Sequence, residues 1–362
     1  MMRRHPARVV SRLTARLRVR IARCLALAAI TAVGATHLAA MAADAPEVSI
    51  HDPVMAEENG TYYLFSTGPG VPIYRSTDRQ HWQRNGRVFD TEPDWARRVI
   101  PDFAGHLWAP DIIARGGRFY LYYSVSAFGR NTSAIGVATN ATLDATSPDY
   151  QWQDQGVVLQ SVPHRDLWNA IDPHVILDEQ GTPWMSFGSF WGGIKLVRLA
   201  DNMTELAEPP QWYSLAKRER PAFTPDDHAG PAEIEAPFIF HHGDFYYLFV
   251  SYGKCCRGAE STYHLAVGRS AELQGPYVDR QGEDMVTGGG SVILEGDDDW
   301  YGVGHSSLYR FGGRDYLVFH AYDAADEGLQ KLKIAGVGWS DGWPSVEASA
   351  LEDYRSELME AE

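Results

Sequence analysis

The chain repeats itself five times, and that recurrence restricts its fold more than any other property. Each copy opens on a short element carrying Pro or Gly, passes a turn glycine, and ends in a burst of aromatic and aliphatic residues. The copies read HDPVMAEENGTYYLF, WAPDIIARGGRFYLYY, IDPHVILDEQGTPWMSF, EAPFIFHHGDFYYLFV and GHSSLYRFGGRDYLVFH. Their turn glycines, Gly60, Gly117, Gly181, Gly243 and Gly313, are spaced by 57, 64, 62 and 70 residues. The bursts are short and rich in Tyr, Phe and Val, and each follows a tight turn such as NG, GG or GD, the signature of a β-hairpin. A third strand follows in each unit (PIYRSTD, AIGVATNATLD, GIKLVRLADNM, HLAVGRSAELQ, KIAGVGWSDGW). A weaker fourth often carries Trp or Tyr: HWQRNGRVF, YQWQDQGVV, PQWYSL and GPYVDR. Four antiparallel strands per unit and five units predict an all-β, five-bladed β-propeller. An irregular β-sandwich would not sort its strands into five parallel sets.

The first 42 residues stand outside this pattern. Eight arginines and no acid precede the apolar run CLALAAITAVGATHLAA, which ends in Ala40-Met41-Ala42. A basic segment, an apolar segment and an A-x-A site read as a secretory signal peptide, spanning 1–42. The remainder, 43–362, reads as one domain, secreted or periplasmic. The whole chain holds 32 basic and 47 acidic residues, and removal of the eight leader arginines leaves 24 against 47, a net charge of −23. So acidic a body excludes nucleic acid and anionic membranes as partners and suits a neutral substrate. Nothing requires an oligomer, so a monomer is expected. Cys255 and Cys256 are adjacent; in an oxidising compartment they form either a strained vicinal disulfide or two free thiols.

In a propeller the first strand of each blade lines the central channel. The residues at or near the start of those strands, Asp52, Trp108, Asp172, Glu235 and His305, therefore converge although they are far apart in sequence. Three are carboxylates. Converging acids repel one another, which is costly unless they bind or catalyse. Glycoside hydrolysis needs such a set: an acid to protonate the leaving oxygen and a carboxylate to activate water. Glu235, with the longer side chain and an apolar context in AEIEAPFIF, reads as the acid. Asp52 reads as the base and Asp172 as the group that tunes the acid. Trp108, Phe128, Phe190 and Trp191 offer faces on which a sugar ring can stack. His305 could ligate an ion at the channel centre or bind substrate. The acidic run Asp297-Asp298-Asp299 reads as a solvated loop.

These residues carry a resemblance. HDP (51–53), HLWAPD (106–111), NAIDPH (169–174), SFGSFWGGI (186–194), EAP (235–237), KCCRG (254–258) and GHSS (304–307) resemble the five-bladed glycoside hydrolases of family 43, most closely the endo-α-1,5-L-arabinanases. The resemblance implies an inverting mechanism with Asp52 as general base, Glu235 as general acid and Asp172 as the residue that modulates and orients the acid. It implies substrate contacts at Trp108, Phe128, Gly129, Asn169, Ala170, Ile171, Ser189, Phe190 and Trp191. It further implies a calcium ion near His305, otherwise held by water, no organic cofactor, and arabinan as the polysaccharide substrate. An exo-acting enzyme releasing short oligomers is the alternative within this chemistry; a non-catalytic carbohydrate-binding propeller is the alternative outside it.

Overall fold

The computed structural model describes residues 48–346 and 348–351. The leader lies outside the described residues, as does most of the C-terminal tail. Twenty strands form five four-stranded sheets, each a simple antiparallel meander. Blade one is β1 (Val54–Glu58), β2 (Thr61–Phe65), β3 (Pro72–Ser76) and β4 (Gln83–Arg87). Blade two is β5 (Trp108–Arg115), β6 (Arg118–Val125), β7 (Ser133–Asn140) and β8 (Gln153–Ser161). Blade three is β9 (His174–Leu177), β10 (Pro183–Phe187), β11 (Ile194–Arg198) and β12 (Trp212–Ala216). Blade four is β13 (Ile234–His242), β14 (Phe245–Tyr252), β15 (His264–Ser270) and β16 (Ser291–Glu295). Blade five is β17 (Trp300–Phe311), β18 (Arg314–Asp323), β19 (Leu329–Ser340) and β20 (Trp343–Ser345). The expected five-bladed propeller is what forms. One strand differs from expectation. GPYVDR is not the fourth strand of blade four: Val278 makes only isolated bridges to Arg269 and Asp284, and β16 takes the sheet edge.

The aromatic bursts are the second strands. Packed between two neighbouring sheets, a second strand is buried on both faces, which explains its near-continuous apolar run. In β6, Leu121, Tyr122, Tyr123 and Val125 are all inaccessible. Five apolar clusters result, one at each junction between successive blades. Phe65, Phe187, Phe249 and Phe319 are fully buried within them. Truncating any one to Ala would cost about 3–5 kcal/mol. Among the described residues the ring closes without exchanging a strand between its ends. The chain before β1 lies along β19 instead, with Leu332 N–H donating to Val48 O at 3.0 Å.

One backbone feature repeats five times. Asp52, Ala109, Asp172, Ala236 and His305 all have positive φ, between 40° and 57°. Asp52 and Asp172 stand just before a first strand, Ala109, Ala236 and His305 stand inside one at its bulge, and the first four directly precede a proline. Such φ values in non-glycine residues cost of order 1–3 kcal/mol each. Each strained residue has its N–H capped by a side chain. Thr67 Oγ1 takes Ala109 at 2.7 Å, Ser124 Oγ takes Asp172 at 3.1 Å and Asp172 Oδ2 takes Ala236 at 3.1 Å. Ser251 Oγ takes His305 at 2.8 Å, and His320 Nδ1 takes Asp52 at 3.2 Å. Every cap comes from the preceding blade, so five side chains latch the five blades in a circle.

Candidate active site

The strained positions explain how the acids gather. The strand register shifts between Trp108 and Asp111, between Glu235 and Phe238, and between Gly304 and Ser307. Such bulges re-aim side chains. They also place the five residues singled out in the sequence in two adjacent registers, not one. Asp52, Asp172 and His305 occupy the strained position itself, while Trp108 and Glu235 stand one residue before it. All five nonetheless line one cavity of about 390 Å³.

Phe128, Gly129, Asn169, Ile171, Ser189, Phe190 and Trp191 line the same cavity. Phe128 is 79% exposed on its rim. Trp191 is nearly buried, its indole N–H donating to Asp226 O at 2.8 Å. Ala170 is not brought to the cavity: it is fully buried in the core, with its N–H held by Ser161 Oγ at 3.0 Å. Asp111 and His174, though inside quoted motifs, hold structure. Asp111 accepts the Val175 N–H at 2.7 Å, and His174 Nε2 lies 3.0 Å from Ile239 O.

Asp52, Asp172 and Glu235 are all buried, yet their environments differ. Around Asp52, Oδ1 lies 2.8 Å from His51 Nδ1 and 3.0 Å from His305 Nδ1, and Oδ2 accepts the Thr67 hydroxyl at 2.5 Å. Burial favours the neutral carboxyl, but the His305 and His51 rings outweigh it and hold Asp52 well below the usual carboxylate range. Asp52 in turn pushes His305 up to about 9 against that ring's own burial. His320 is completely buried and is pushed down, chiefly by burial and then by His51, so it remains a neutral acceptor for the Asp52 N–H.

Glu235 makes no ion pair among the described residues, though the charge of His305 also acts on it. Its Oε2 accepts the Ser189 hydroxyl at 2.5 Å, and its Oε1 accepts the Tyr263 hydroxyl. Burial raises it above the usual range, and the two hydroxyls oppose that rise. Asp172 is pushed up to about 8, first by burial and then by the charges of Glu235 and Asp52, with His305 opposing. Asp172 and Glu235 therefore share protons that Asp52 gives up. One buried site holds a carboxylate biased toward its ionised form beside two carboxyls biased toward their protonated forms, the division of labour that acid–base cleavage needs.

The sequence reading missed Tyr263, Thr67, His320 and the structural part of His51. Ser189, expected to contact substrate, also holds Glu235. Tyr263 is tied to the GHSS motif only in space. A Cβ on Gly304 would lie 2.1 Å from its ring, so the glycine of GHSS is the space that ring fills.

Calcium takes 6–8 oxygen ligands; beside His305 the cavity is lined by Asp52, Asp172 and Glu235, and Asp52 is already held by His51, His305 and Thr67. His305 Nδ1 is turned to Asp52, the arrangement that prepares the other ring nitrogen for a metal. An ion on His305 would take Nε2, with water completing its shell, and would have to displace the proton that His305 carries.

The family model for glycosyl hydrolases family 43 matches residues 46–344, and the chain belongs to that family. It is 58% identical to the extracellular exo-α-(1→5)-L-arabinofuranosidase ArbA of Cellvibrio japonicus, over 89% of this chain and 93% of that one. It is 39% identical to the extracellular endo-α-(1→5)-L-arabinanase 1 of Bacillus subtilis, over 82% and 87%. A solved α-L-arabinanase of Cellvibrio cellulosa in complex with arabinohexaose matches with a TM-score of 0.84 and 58% identity, covering 85% of this chain and 98% of that one.

Proposed function

We propose that this protein is a secreted, inverting hydrolase of α-1,5-linked L-arabinan, acting as a monomeric propeller after removal of leader 1–42. The observation that carries the reading is the opposite bias of the buried acids, Asp52 held low and Asp172 and Glu235 held high. Asp52 accepts a proton from water, and the oxygen attacks the anomeric carbon. Glu235 gives its proton to the departing glycosidic oxygen. The site ends with Asp52 protonated and Glu235 ionised, and exchange with solvent resets it. A base held so low is a weak base; the arrangement secures its ionised form at every working pH. Asp172 keeps the acid's proton available and, through the Ala236 N–H, fixes the peptide that follows Glu235. A calcium ion on His305, when bound, would add positive charge at the axis.

Inversion rests on the family resemblance. The names of the relatives support arabinan as substrate and export as destination. On mode, the resemblance of motifs favours endo cleavage, whereas the 58% relative is named exo-acting, and chain-wide similarity weighs toward release from a chain end. Linear arabinan incubated with wild type and with Glu235→Ala tests the chemistry. Hydrolysis by wild type and its loss in the variant are expected. Intact arabinan with wild type overturns the assignment, and arabinan bound but not cut by both proteins establishes a binding module instead. Short oligomers alone at early time mark exo action, a broad ladder endo action.

A further inference from the structure

Cys255 and Cys256 are joined by a disulfide. A crosslink stabilises a fold chiefly by closing a long loop in the unfolded chain. Between neighbouring residues there is no loop to close, so this bond cannot act as a staple. Its location suggests another use. Both cysteines line the cavity that holds Asp52 and Glu235, and Cys256 is exposed. The segment is tied down on both sides. Cys256 N–H donates to the Tyr322 hydroxyl at 2.8 Å, and that hydroxyl also lies 2.8 Å from His51 Nε2. Lys254 exchanges contacts with Thr262, donating to its hydroxyl at 3.0 Å and accepting from its N–H at 2.9 Å, and pairs with Glu233 at 2.9 Å.

The bonded sulfurs thus present a rigid, polarisable, apolar surface to the cleft. Sulfur of this kind packs well against flat, weakly polar surfaces. A furanose ring has one such face, built of C–H groups. We propose that the Cys255–Cys256 disulfide is a wall of the sugar-binding cleft, taking the C–H face of an arabinofuranosyl unit. The inference rests on the arabinan reading above and adds a contact to it. A phosphine with water, leaving as the phosphine oxide, or a dithiol, leaving as its cyclic disulfide, supplies two electrons and two protons; the S–S bond breaks and two S–H groups form. Two rotatable thiols replace the fixed surface.

The test measures arabinohexaose binding by calorimetry to the Glu235→Ala protein, oxidised, phosphine-reduced and re-oxidised, with thiol titration confirming each state. Reduction should weaken binding about tenfold, equivalent to ~1.4 kcal/mol, and re-oxidation should restore it. Cys255→Ser/Cys256→Ser should match the reduced form. In the otherwise wild-type enzyme, reduction should raise KM with kcat and Tm unchanged. Unchanged affinity after confirmed reduction overturns the proposal. So does a fall in kcat at constant KM, which would show the sulfurs acting through His51, 3.8 Å from Cys256 Sγ, on Asp52. A fall in Tm of several degrees with the affinity overturns it too, by making the bond a staple. If the oxidised protein neither binds nor cuts arabinan, the arabinan reading itself has failed.

Discussion

Tyr263→Phe isolates one interaction at the acid. The substitution removes a single hydroxyl that donates to Glu235 Oε1 and leaves a ring of nearly the same volume in a fully enclosed place. A hydroxyl bonded to a carboxylate favours the charged form, so its loss should raise the pKa of the acid. A hydrogen bond to a charged group contributes about 1.5–3 kcal/mol. Since one pKa unit corresponds to ~1.36 kcal/mol, the expected rise is about 1–2 units. Ser189 still holds Oε2, which keeps the carboxyl from swinging free. The assay is the initial rate of reducing-sugar release from linear arabinan across the pH range. The alkaline limb of kcat reports the protonated acid, as a property of the Asp172–Glu235 pair. It should move to higher pH by about 1–2 units. Ser189→Ala should move it in the same direction. An alkaline limb that stays in place, or moves to lower pH, would refute the claim that the hydroxyls oppose protonation of Glu235.

Gly304→Ala places a methyl group 2.1 Å from the Tyr263 ring; it should lower Tm and displace the alkaline limb as Tyr263→Phe does, checked by melting and by the same pH profile. Asp172 is pushed up to about 8, so its contribution to stability is full below the ordinary carboxylate range and is lost as pH rises through about 8. Asp172→Asn should therefore show a shallower decline in Tm between pH 5 and pH 8 than wild type, and parallel melting curves would contradict the shift. Calcium held at His305 should raise Tm in the metal-stripped protein, and His305→Ala should abolish the rise. Removing Phe128, exposed on the rim, should raise KM for arabinan with little change in kcat, measured by steady-state kinetics.

The blade repeat was readable because burial between two sheets imposes the same apolar run on every second strand, whatever the blade does chemically. The three acids were readable because each stands within two residues of a proline near the start of a first strand, Asp52 and Asp172 directly before it and Glu235 one residue earlier. Their partners were not. Tyr263 lies at the entrance to β15, Thr67 just beyond β2 and His320 inside β18, where they look like any strand-edge aromatic, hydroxyl or core histidine. They acquire a role only because neighbouring blades meet at the axis, and no local spacing records that meeting. The offset between the two registers is written in the prolines, since Asp52 and Asp172 directly precede Pro whereas Trp108 and Glu235 stand one residue further back; the strained φ and the bulge behind that offset are not. The latches give the distinction physical content. In blades one, two, four and five the cap on the next blade's strained N–H is Thr67, Ser124, Ser251 or neutral His320. In blade three it is Asp172, a titrating carboxyl. The ring is therefore closed at one of its five joints by a group whose charge depends on its proton, and that joint is the one that carries Glu235. Geometry of the acid and protonation of its neighbour thereby run through one side chain: Asp172→Ala should remove both the charge and the latch, whereas Asp172→Asn keeps an acceptor for the Ala236 N–H and removes the charge alone.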